Sequence, residues 1–289
     1  FLLALVGGLV KKIRGGKLII YMQDVYPDVA TAIGKVKSGW VSRSTAALMK
    51  RAYRYADRIV VLGEDMRERV VQHGVDEAKT VLIPNWTDPK VVFPVKSKNA
   101  FRAKQNWEGK FVIMHSGNMG LTQELGQFID VAKQLEDRKD IVFAFVGDGA
   151  SRPNLERIVA DAAITNVSFL PYQPRSELAV SLSAADLHLV SMHPKICGCL
   201  VPSKLYGIMA SGSPVLAVVP EKTDVWNLVK AEKIGLAVRP GEIPNIRNAI
   251  ECCAAGDVDM RAMGERARQL AENRYSLTVS GRMFSNLLE

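Results

Sequence analysis

Residues 111–146 read FVIMHSGNMGLTQELGQFIDVAKQLEDRKDIVFAFV, and this stretch decides the fold. An apolar run of strand length, Phe111–His115, is followed by a glycine-containing turn and by helical spacing of apolar residues over Thr122–Leu135. A second apolar run, Ile141–Val146, completes the unit. A strand, a helix and a strand in this order predict two parallel strands of one sheet, with the helix packed on its face.

The same alternation extends in both directions along the chain. Downstream, strands are predicted at Val167–Leu170, Leu187–Ser191, Pro214–Val218 and Gly235–Val238, with helical stretches between them. Upstream, the runs are Lys17–Gln23, Arg58–Leu62 and Thr80–Ile83. The pattern predicts an α/β chain with two doubly wound, parallel-sheet domains of the Rossmann type, of which the first is incomplete because it has too few strands.

The alternation stops between the two sets of strands, where Pro84, Pro89 and Pro94 are followed by Lys96 and Lys98. We therefore expect a first domain over residues 1–95, a linker over 96–110 and a second domain over 111–272. The segment 273–289 is expected to form a C-terminal helix.

Composition narrows the classes of function. The chain has 289 residues, is 48% hydrophobic and carries a net charge of +8. Its longest apolar run, Phe1–Val10, is far shorter than the roughly 20 residues that cross a bilayer. The sequence has no nucleic-acid-binding motif.

The basic residues that cluster near the N-terminus are either solvated surface or a contact with anionic lipid headgroups or a lipid-linked phosphate: Lys11, Lys12, Arg14, Lys17, Lys35, Lys37, Arg43, Lys50, Arg51 and Arg54. Because the first residue is Phe1, we expect the chain to be a fragment.

The four cysteines do not predict a metal site. They lie at Cys197, Cys199, Cys252 and Cys253, and neither spacing is that of a zinc-binding motif. His193 is close to Cys197 in sequence, which leaves a metal site conceivable, but reduced cysteines of a cytoplasmic protein are the simpler interpretation.

Two glycine-bearing turns follow strands at the carboxyl edge of the second sheet, where open α/β sheets bind ligands. In Ser116–Gly120, the glycines Gly117 and Gly120 would let backbone N–H groups approach an anion, beside a helix expected to begin at Thr122. In Gly147-Asp148-Gly149, Asp148 could bond a ribose or a base. The alternative in both places is that these residues only form the turn.

The third candidate loop lies in residues 197–216, CGCLVPSKLYGIMASGSPVL. Ser203 is expected to cap a short helix, and Lys204 places a cation in its first turn. A cation there opposes the helix dipole by roughly a few tenths of a kcal/mol unless an anion binds nearby. The pattern therefore predicts a diphosphate site at Ser203 and Lys204, with a solvated lysine as the alternative.

Two carboxylates follow the strand at Lys17–Gln23. Asp24 and Asp28 could orient or deprotonate an acceptor hydroxyl, or could cap the helix that begins near Pro27. We favour a functional role for Asp24. By contrast, Asp186, His188 and Ser191 are not expected to form a catalytic triad, because alternation along a strand places Ser191 on the opposite face from the other two. A buried structural role is expected for His188.

The chain resembles bacterial glycosyltransferases of family 4, in the branch that builds O-antigen, capsule or colanic-acid-type polysaccharides. The resemblance runs over nearly the whole chain and is carried by six segments in order: QDVYPD (23–28), RIVVLGEDMRERV (58–70), VLIPNW (81–86), HSGNMG (115–120), FVGDG (145–149) and VPSKLYGIMASGSPVLAV (201–218).

The resemblance implies a GT-B fold, in which the C-terminal domain binds a nucleotide-sugar donor and the N-terminal domain an acceptor. It implies a metal-independent, retaining transfer from a UDP- or GDP-sugar to a lipid-linked saccharide. The nucleotide-sugar is the substrate, and no further cofactor is expected. The resemblance further implies a cytoplasmic enzyme that is bound peripherally at the inner face of the cytoplasmic membrane. The resemblance also implies that an upstream segment is missing, and that the helix near Ser276–Leu288 crosses back to the first domain.

The family's functional residues carry over in part. The loop Gly117-Asn118-Met119-Gly120 with Gln123 matches the phosphate-side motif, although many members have Arg and Lys where Asn118 and Gln123 stand. The two glutamates of the family's E-x7-E motif map to Cys199 and Gly207, which puts the donor-sugar contacts in doubt. The remaining donor-binding candidates are Gly147, Asp148, Gly149, Pro202, Ser203 and Tyr206. Lys204 and Asp24, which stands where many members have a histidine, are the candidate catalytic residues.

Two other classes remain open. The fragment could bind a nucleotide without transferring a sugar. A GT-B epimerase or phosphorylase is the third possibility, although an epimerase would carry more carboxylates in its cleft and a phosphorylase a pyridoxal-binding lysine.

Overall fold

The computed structural model describes residues 2–34, 39–95 and 97–289. It divides into two units. The first comprises residues up to Asn85 with Pro194–Val201 and Lys222–Asp224, and the second comprises Trp86–His193, Pro202–Glu221 and Val225–Glu289. Three of the basic residues named above, Lys35, Lys37 and Lys96, lie outside the described residues, as does the side chain of Arg43.

The first unit contains a three-stranded parallel sheet, ordered β1-β2-β3. Its strands are β1 (Ile19–Tyr21), β2 (Arg58–Val61) and β3 (Thr80–Leu82), and its helices are α1 (Leu2–Arg14), α2 (Asp28–Ala32), α3 (Trp40–Tyr55) and α4 (Glu64–Gln72). Ile20 pairs with Ile59, and Val60 with Val81. All three strands fall inside the predicted apolar runs, each shorter by one or more residues.

The second unit contains a six-stranded parallel sheet. Its strands are β4 (Phe111–Ser116), β5 (Ile141–Val146), β6 (Val167–Leu170), β7 (Leu187–Ser191), β8 (Val215–Val218) and β9 (Gly235–Val238). Its helices are α5 (Ala100–Lys104), α6 (Gly126–Gln134), α7 (Arg152–Asp161), α8 (Leu178–Leu182), α9 (Lys204–Ala210), α10 (Asp224–Ala231, whose first residue groups with the first unit), α11 (Ile243–Ala255), α12 (Met260–Asn273) and α13 (Leu277–Leu288).

The strand order of this sheet is β6-β5-β4-β7-β8-β9. The order reverses at β4, which pairs with β5 through Met114 and Ala144 and with β7 through Met114 and His188. The carboxyl ends of β4 and its neighbours are therefore the topological switch point, where doubly wound sheets open a crevice for ligands. The candidate loops Gly117–Gly120 and Gly147–Gly149 both begin at this edge.

The core of the second unit lies between β4, β5 and the helices on one face of the sheet. Phe128, Phe143 and Phe145 are fully buried within it, together with aliphatic side chains of α6 and α11. Phe145 stacks on Phe169 with 5.3 Å between ring centroids. This close packing gives the edge that carries the loops a rigid base.

Three local expectations are corrected. Helix α6 begins at Gly126, not Thr122, because Glu124 adopts a left-handed φ of +40° that interrupts the helical path. Ser203 precedes α9 but its side chain accepts no capping hydrogen bond, since its backbone is already in the helical region. The expected linker, 96–110, contains helix α5, which Asn99 caps by accepting from the Phe101 and Arg102 amides.

The expected domain roles of residues 1–95, 96–110, 111–272 and 273–289 remain predictions, including the crossing of the last helix. Within the described part of the chain, no helix has both the length and the apolar character needed to cross a bilayer. The four cysteines are free there, and no three His, Cys, Asp or Glu side chains of the described residues group as a metal site would require.

Candidate functional site

The two glycine-bearing loops of the second unit are hydrogen-bonded to each other. The Gly117 amide donates to the Val146 carbonyl at 2.8 Å, and the Met119 amide donates to the Asp148 carbonyl at 2.8 Å. The Met119 carbonyl accepts from the Ser151 amide at 2.9 Å, which ties the first loop to the start of α7. The loops after β4 and β5 therefore form one continuous backbone surface.

The glycines of the second loop are required by this contact. A Cβ on Gly147 would lie 2.0 Å from the Gly117 carbonyl oxygen, and one on Gly149 would lie 2.6 Å from the Met119 carbonyl oxygen. Both residues also have positive φ, +137° and +152°. The packing of one loop on the other thus explains why residues 147 and 149 are glycines without any ligand. This agrees with the alternative that these residues only form the turn.

Asp148 is exposed, and its carboxylate accepts from the amide of Gly149 at 2.7 Å. This contact corresponds to the turn-capping alternative. The loop is further held by Arg152, whose guanidinium donates to the Gly147 carbonyl at 2.7 Å. Arg152 was not among the residues singled out from the sequence, because an arginine in the first turn of a helix gives no local sign of bonding to a loop.

Lys204 lies at the centre of the site. Its ammonium donates to the side-chain oxygen of Gln123 at 2.9 Å and lies 3.2 Å from Nε2 of His115. The lysine stem passes Gly117, at which a Cβ would lie 3.7 Å from Lys204 Cε. The structure thus brings together three segments of the sequence, the end of β4, the loop before α6 and the start of α9.

The environment of Lys204 disfavours its charged form. Burial lowers the pKa of Lys204 to about 7. Among the described residues no carboxylate pairs with this ammonium; its hydrogen-bonding partners are an amide and an imidazole. A buried cation with neutral partners is well suited to pair with an anion that enters the site.

His115 is a residue that the sequence reasoning missed. It is fully buried, and its Nε2 lies 3.3 Å from the Asn118 carbonyl oxygen. Burial first, and the charge of Lys204 second, lower the pKa of His115 well below its usual value. The signal that could have found it is its position at the end of β4, immediately before the glycine loop.

Gln123 is placed by its backbone as well as its side chain. The Gln123 carbonyl accepts from the Ser191 hydroxyl, and the Thr122 carbonyl accepts from the His193 amide at 2.8 Å. The segment that was expected to open a helix at Thr122 is instead fastened to the end of β7. Its amides are therefore not the first turn of α6, which begins at Gly126.

The remaining donor-binding candidates are divided between surface and core. Ser203 and Asn118 are exposed, while Pro202 is buried and Met119 is fully buried. Tyr206 is buried and packs edge-on against Tyr275 with 5.3 Å between ring centroids. Their predicted roles in binding a donor remain predictions.

In the first unit, Asp24 lies beside a cavity of about 350 Å³ lined by Tyr21, Tyr53 and apolar side chains of α1 and β1. The backbone of Asp24 forms an isolated antiparallel bridge with Leu200. Asp24 is exposed as a residue, yet partial burial of its carboxyl group raises the pKa of that group. A carboxyl group of raised pKa at the rim of a cavity has the properties of a general base.

Asp28 has a different role from either of those considered for it. Its carboxylate accepts from Arg69 Nε at 2.6 Å and lies 2.9 Å from His73 Nε2. Burial acts to raise its pKa, but the contacts with His73 and Arg69 together hold the pKa of Asp28 below its usual value. Asp28 is thus an ion-pair residue that joins α2 to α4, and we assign it no catalytic part.

Cys199 and Gly207, which stand where the resemblance places the two glutamates of the E-x7-E motif, cannot replace a carboxylate. Cys199 is fully buried, and burial raises the pKa of its thiol to about 11, so the sulfur stays neutral at pH 7. Gly207 has no side chain. As expected, Asp186, His188 and Ser191 form no triad: Asp186 pairs with Arg102 at 3.0 Å, and His188 is buried against the Leu182 carbonyl at 2.8 Å.

Comparison with known families identifies the class. Residues 97–270 match the family described as glycosyl transferases group 1, and residues 2–86 match the glycosyl transferase 4-like domain. The chain belongs to the group 1 glycosyl transferases. The resemblance noted in the sequence is thereby confirmed, and so is the transferase class of enzyme.

Two curated relatives have names of the same kind. The probable glycosyltransferase WbjE of Pseudomonas aeruginosa is 29% identical over 274 residues, which cover 94% of this chain and 68% of the relative. The putative colanic acid biosynthesis glycosyl transferase WcaI of Escherichia coli (strain K12) is 25% identical over 242 residues, which cover 81% of this chain and 59% of the relative.

Solved structures share the fold. Anabaena HepE, solved in complex with UDP, aligns with a TM-score of 0.82 at 18% identity over 98% of this chain and 75% of that one. Sucrose-phosphate synthase from Thermosynechococcus elongatus aligns with a TM-score of 0.79 at 20% identity over 98% of this chain and 70% of that one. These alignments confirm the α/β fold of the GT-B type.

Proposed function

We propose that the complete protein is a retaining glycosyltransferase that moves a sugar from a nucleotide-diphospho-sugar to a lipid-linked saccharide in the synthesis of a surface polysaccharide. The family assignment supports sugar transfer. The name of WcaI, a colanic acid biosynthesis glycosyl transferase, supports a polysaccharide product. The complexes of HepE with UDP support a uridine nucleotide as the carrier of the donor sugar.

The single observation that carries the proposal is the position of the Lys204 ammonium. It lies 2.9 Å from Gln123 Oε1, beside the Gly117 backbone, at the switch point of the six-stranded sheet. Doubly wound sheets bind nucleotides at such a point. A buried cation with no carboxylate partner among the described residues supplies the charge that a diphosphate needs.

In the proposed reaction, the bond between the anomeric carbon and the oxygen of the β-phosphate breaks, and its electron pair stays on the nucleoside diphosphate. The acceptor hydroxyl oxygen forms the new bond on the same face of the sugar, and its proton passes to a carboxylate, the part assigned to Asp24. Lys204 stabilises the negative charge that develops on the leaving diphosphate, and stabilisation of this kind is usually the largest single contribution to enzymatic catalysis. No covalent enzyme intermediate is required.

We assign the acceptor-side function to Asp24. Its raised pKa and its place beside a cavity favour a carboxyl group that can take the proton of an acceptor hydroxyl or orient that hydroxyl. The departures at Cys199 and Gly207 mean that the donor sugar is held by other groups than the family's glutamates. We therefore also propose that this protein uses a different donor sugar from the family members that have both glutamates.

A peripheral position at the inner face of the cytoplasmic membrane is also proposed. Lys12 and Arg14 are exposed at the end of α1, while Lys11 pairs with Asp57 at 2.6 Å. Exposed cations attract anionic headgroups by about 1 kcal/mol each near the surface. Sedimentation with phosphatidylglycerol vesicles, compared with phosphatidylcholine vesicles, tests this point, and equal binding to both would contradict it.

The reaction is tested by incubating the complete protein with UDP- and GDP-sugars and a polyprenyl-diphosphate sugar, and by following nucleotide release and the mass of the lipid product. Acceptor-dependent release with a heavier lipid is expected, and NMR of the product reports whether the anomeric configuration is retained. Nucleotide binding without release would indicate a binding module. Conversion of the sugar while still attached to its nucleotide would indicate an epimerase. A thermal shift with UDP and GDP compares the two nucleotides.

A further inference from the structure

His115 contacts two parts of the proposed donor site at once. Its Nε2 lies 3.3 Å from the Asn118 carbonyl oxygen, in the loop after β4. Its two ring nitrogens lie 3.4 Å (Nδ1) and 3.2 Å (Nε2) from Lys204 Nζ. The imidazole thus connects the glycine-bearing loop to the lysine, which is 89 positions away in the sequence.

The chemistry of these partners assigns the proton on the ring. A carbonyl oxygen only accepts, an ammonium only donates, and a neutral imidazole has one nitrogen of each kind. Both contacts are satisfied when Nε2–H donates to the Asn118 carbonyl and Nδ1 accepts from Lys204. The reverse assignment would let Nε2 accept from Lys204 at 3.2 Å, but it would leave the Asn118 carbonyl without this donor and would place two acceptors, Nε2 and the carbonyl oxygen, 3.3 Å apart.

The groups around Lys204 keep His115 neutral and leave the ammonium as the charge of the site. His188, on the neighbouring strand β7, is also fully buried, and burial lowers its pKa to about 4. Gln123, in the loop before α6, contributes an uncharged oxygen. Among the described residues, the side chains that contact the Lys204 ammonium are therefore one neutral imidazole and one amide, and His188 is a second neutral imidazole nearby.

We propose that His115 is a positioning residue of the donor site: its Nδ1 holds the Lys204 ammonium beside Gly117, while its Nε2–H holds the loop through Asn118. The inference rests on the proposed function, since the ammonium so held is the group that would meet the diphosphate. It adds a residue that supports both the cation and the loop amides and that itself does not contact the ligand.

The alternative is that His115 only fills space in the core, where its ring lies 6.1 Å from that of Phe145. The two interpretations differ in what they expect for Lys204. Loss of a hydrogen-bond acceptor destabilises the ammonium relative to the amine, whereas loss of a space-filling ring leaves the proton affinity of the amine unchanged.

The experiment measures the protonation of Lys204 directly. Trace acetylation with acetic anhydride, across pH and quantified by mass spectrometry of the Lys204 peptide, reports the fraction of free amine. It is applied to ligand-free wild type, H115L, which removes the acceptor, and H115Q, which restores an amide oxygen and an N–H. Exposed Lys133 on α6 is the internal reference for the reagent. Thermal unfolding confirms that each variant is folded.

We expect the midpoint of Lys204 acetylation in H115L to fall by about one pH unit, a tenfold change in the proton affinity, as for one hydrogen bond to a charged group. H115Q should remain near the wild-type midpoint. A folded H115L with the wild-type midpoint would overturn the proposal. If H115L does not fold, ¹⁵N NMR of the wild-type His115 decides, since the proposal requires the neutral Nε2–H tautomer and a Nδ1–H tautomer would overturn it.

A separate arm distinguishes failure of this inference from failure of the proposed function. UDP should slow acetylation of Lys204 in wild type if the diphosphate binds there, and acetylation of Lys133 should not change. Absence of protection by UDP in a protein that binds UDP would count against the proposed donor site. The shift between ligand-free wild type and H115L would still measure the contact between His115 and Lys204.

Discussion

The ammonium of Lys204 donates a hydrogen bond to the side-chain oxygen of Gln123 across 2.9 Å, although the two residues are 81 positions apart. One lies just before α6 and the other begins α9. Burial lowers the pKa of this lysine to about 7, so near neutral pH its charge depends on what binds beside it.

Replacing Lys204 with alanine should lower turnover in the complete protein by about two orders of magnitude, the effect of removing one preorganised donor. K133A, at an exposed lysine of α6, is the matched control and should keep wild-type turnover. Steady-state rates of nucleotide release measure both. Near wild-type turnover in K204A would remove Lys204 from the mechanism.

Donor affinity should depend on pH with a midpoint near 7. Only the ammonium attracts the diphosphate, so the dissociation constant should be flat below about pH 6 and rise about tenfold per unit above pH 7. Calorimetry with a nucleotide-sugar is the suitable measurement, because the terminal phosphate of free UDP itself titrates near pH 6. K204R keeps its charge throughout, and its profile should lose this midpoint. A wild-type profile without the midpoint would contradict the role of Lys204.

Asp24→Asn should abolish transfer while donor affinity is largely kept, because we place this carboxyl group on the acceptor side. D28N is the informative comparison, since Asp28 pairs with Arg69 and His73 and its loss should reduce stability. Transfer rates, donor binding and thermal unfolding of both variants separate the two effects. Weakened donor binding in D24N would show that Asp24 is wrongly assigned.

Gly147→Ala should destabilise the second unit by at least about 2 kcal/mol. The added Cβ would lie 2.0 Å from the Gly117 carbonyl oxygen, and φ is +137°. Gly126→Ala is the control, because nothing lies within 4 Å of its Cβ position and it begins α6, where alanine favours the helix. Urea unfolding compares them; equal stability would mean that the loops do not pack as described.

Asp65→Asn should stabilise the protein at alkaline pH. Burial first, then the hydrogen bond and charge of Asp224, raise the pKa of Asp65 to about 8. Because this exceeds the unfolded value near 3.9, the folded state binds the extra proton, and stability falls as pH rises from about 4 to about 8. The variant avoids that loss.

We expect D65N to be more stable than wild type at pH 8, and we expect this difference to shrink as the pH is lowered to 5. Exposed Asp257, changed to Asn, is the matched control. Unfolding free energies at the two pH values provide the test, and a D65N gain that is independent of pH would refute the raised pKa of Asp65.

Much of the second unit followed from local pattern, as β6 and β9 illustrate: the predicted ranges Val167–Leu170 and Gly235–Val238 agree with the observed ones. The start of α6 did not follow. A helix was predicted from Thr122, but the carbonyls of Thr122 and Gln123 accept hydrogen bonds from His193 and Ser191, at and just beyond the end of β7, and no property of residues 122–125 alone reports those contacts.

The sequence by itself determined the alternation of strands and helices, the position of glycines and Lys204 just after strands, and the family, because periodicity and motif spacing are properties of neighbouring residues. Only the tertiary structure decided that the Lys204 ammonium contacts Gln123 and His115. It also decided that Gly147 and Gly149 must lack a side chain because the Gly117–Gly120 loop packs against them, and that Asp28 forms an ion pair with Arg69. Those contacts depend on the strand order and on the packing of segments far apart in the chain, and in a folded sheet it is the pairing of strands that sets which side chains become neighbours.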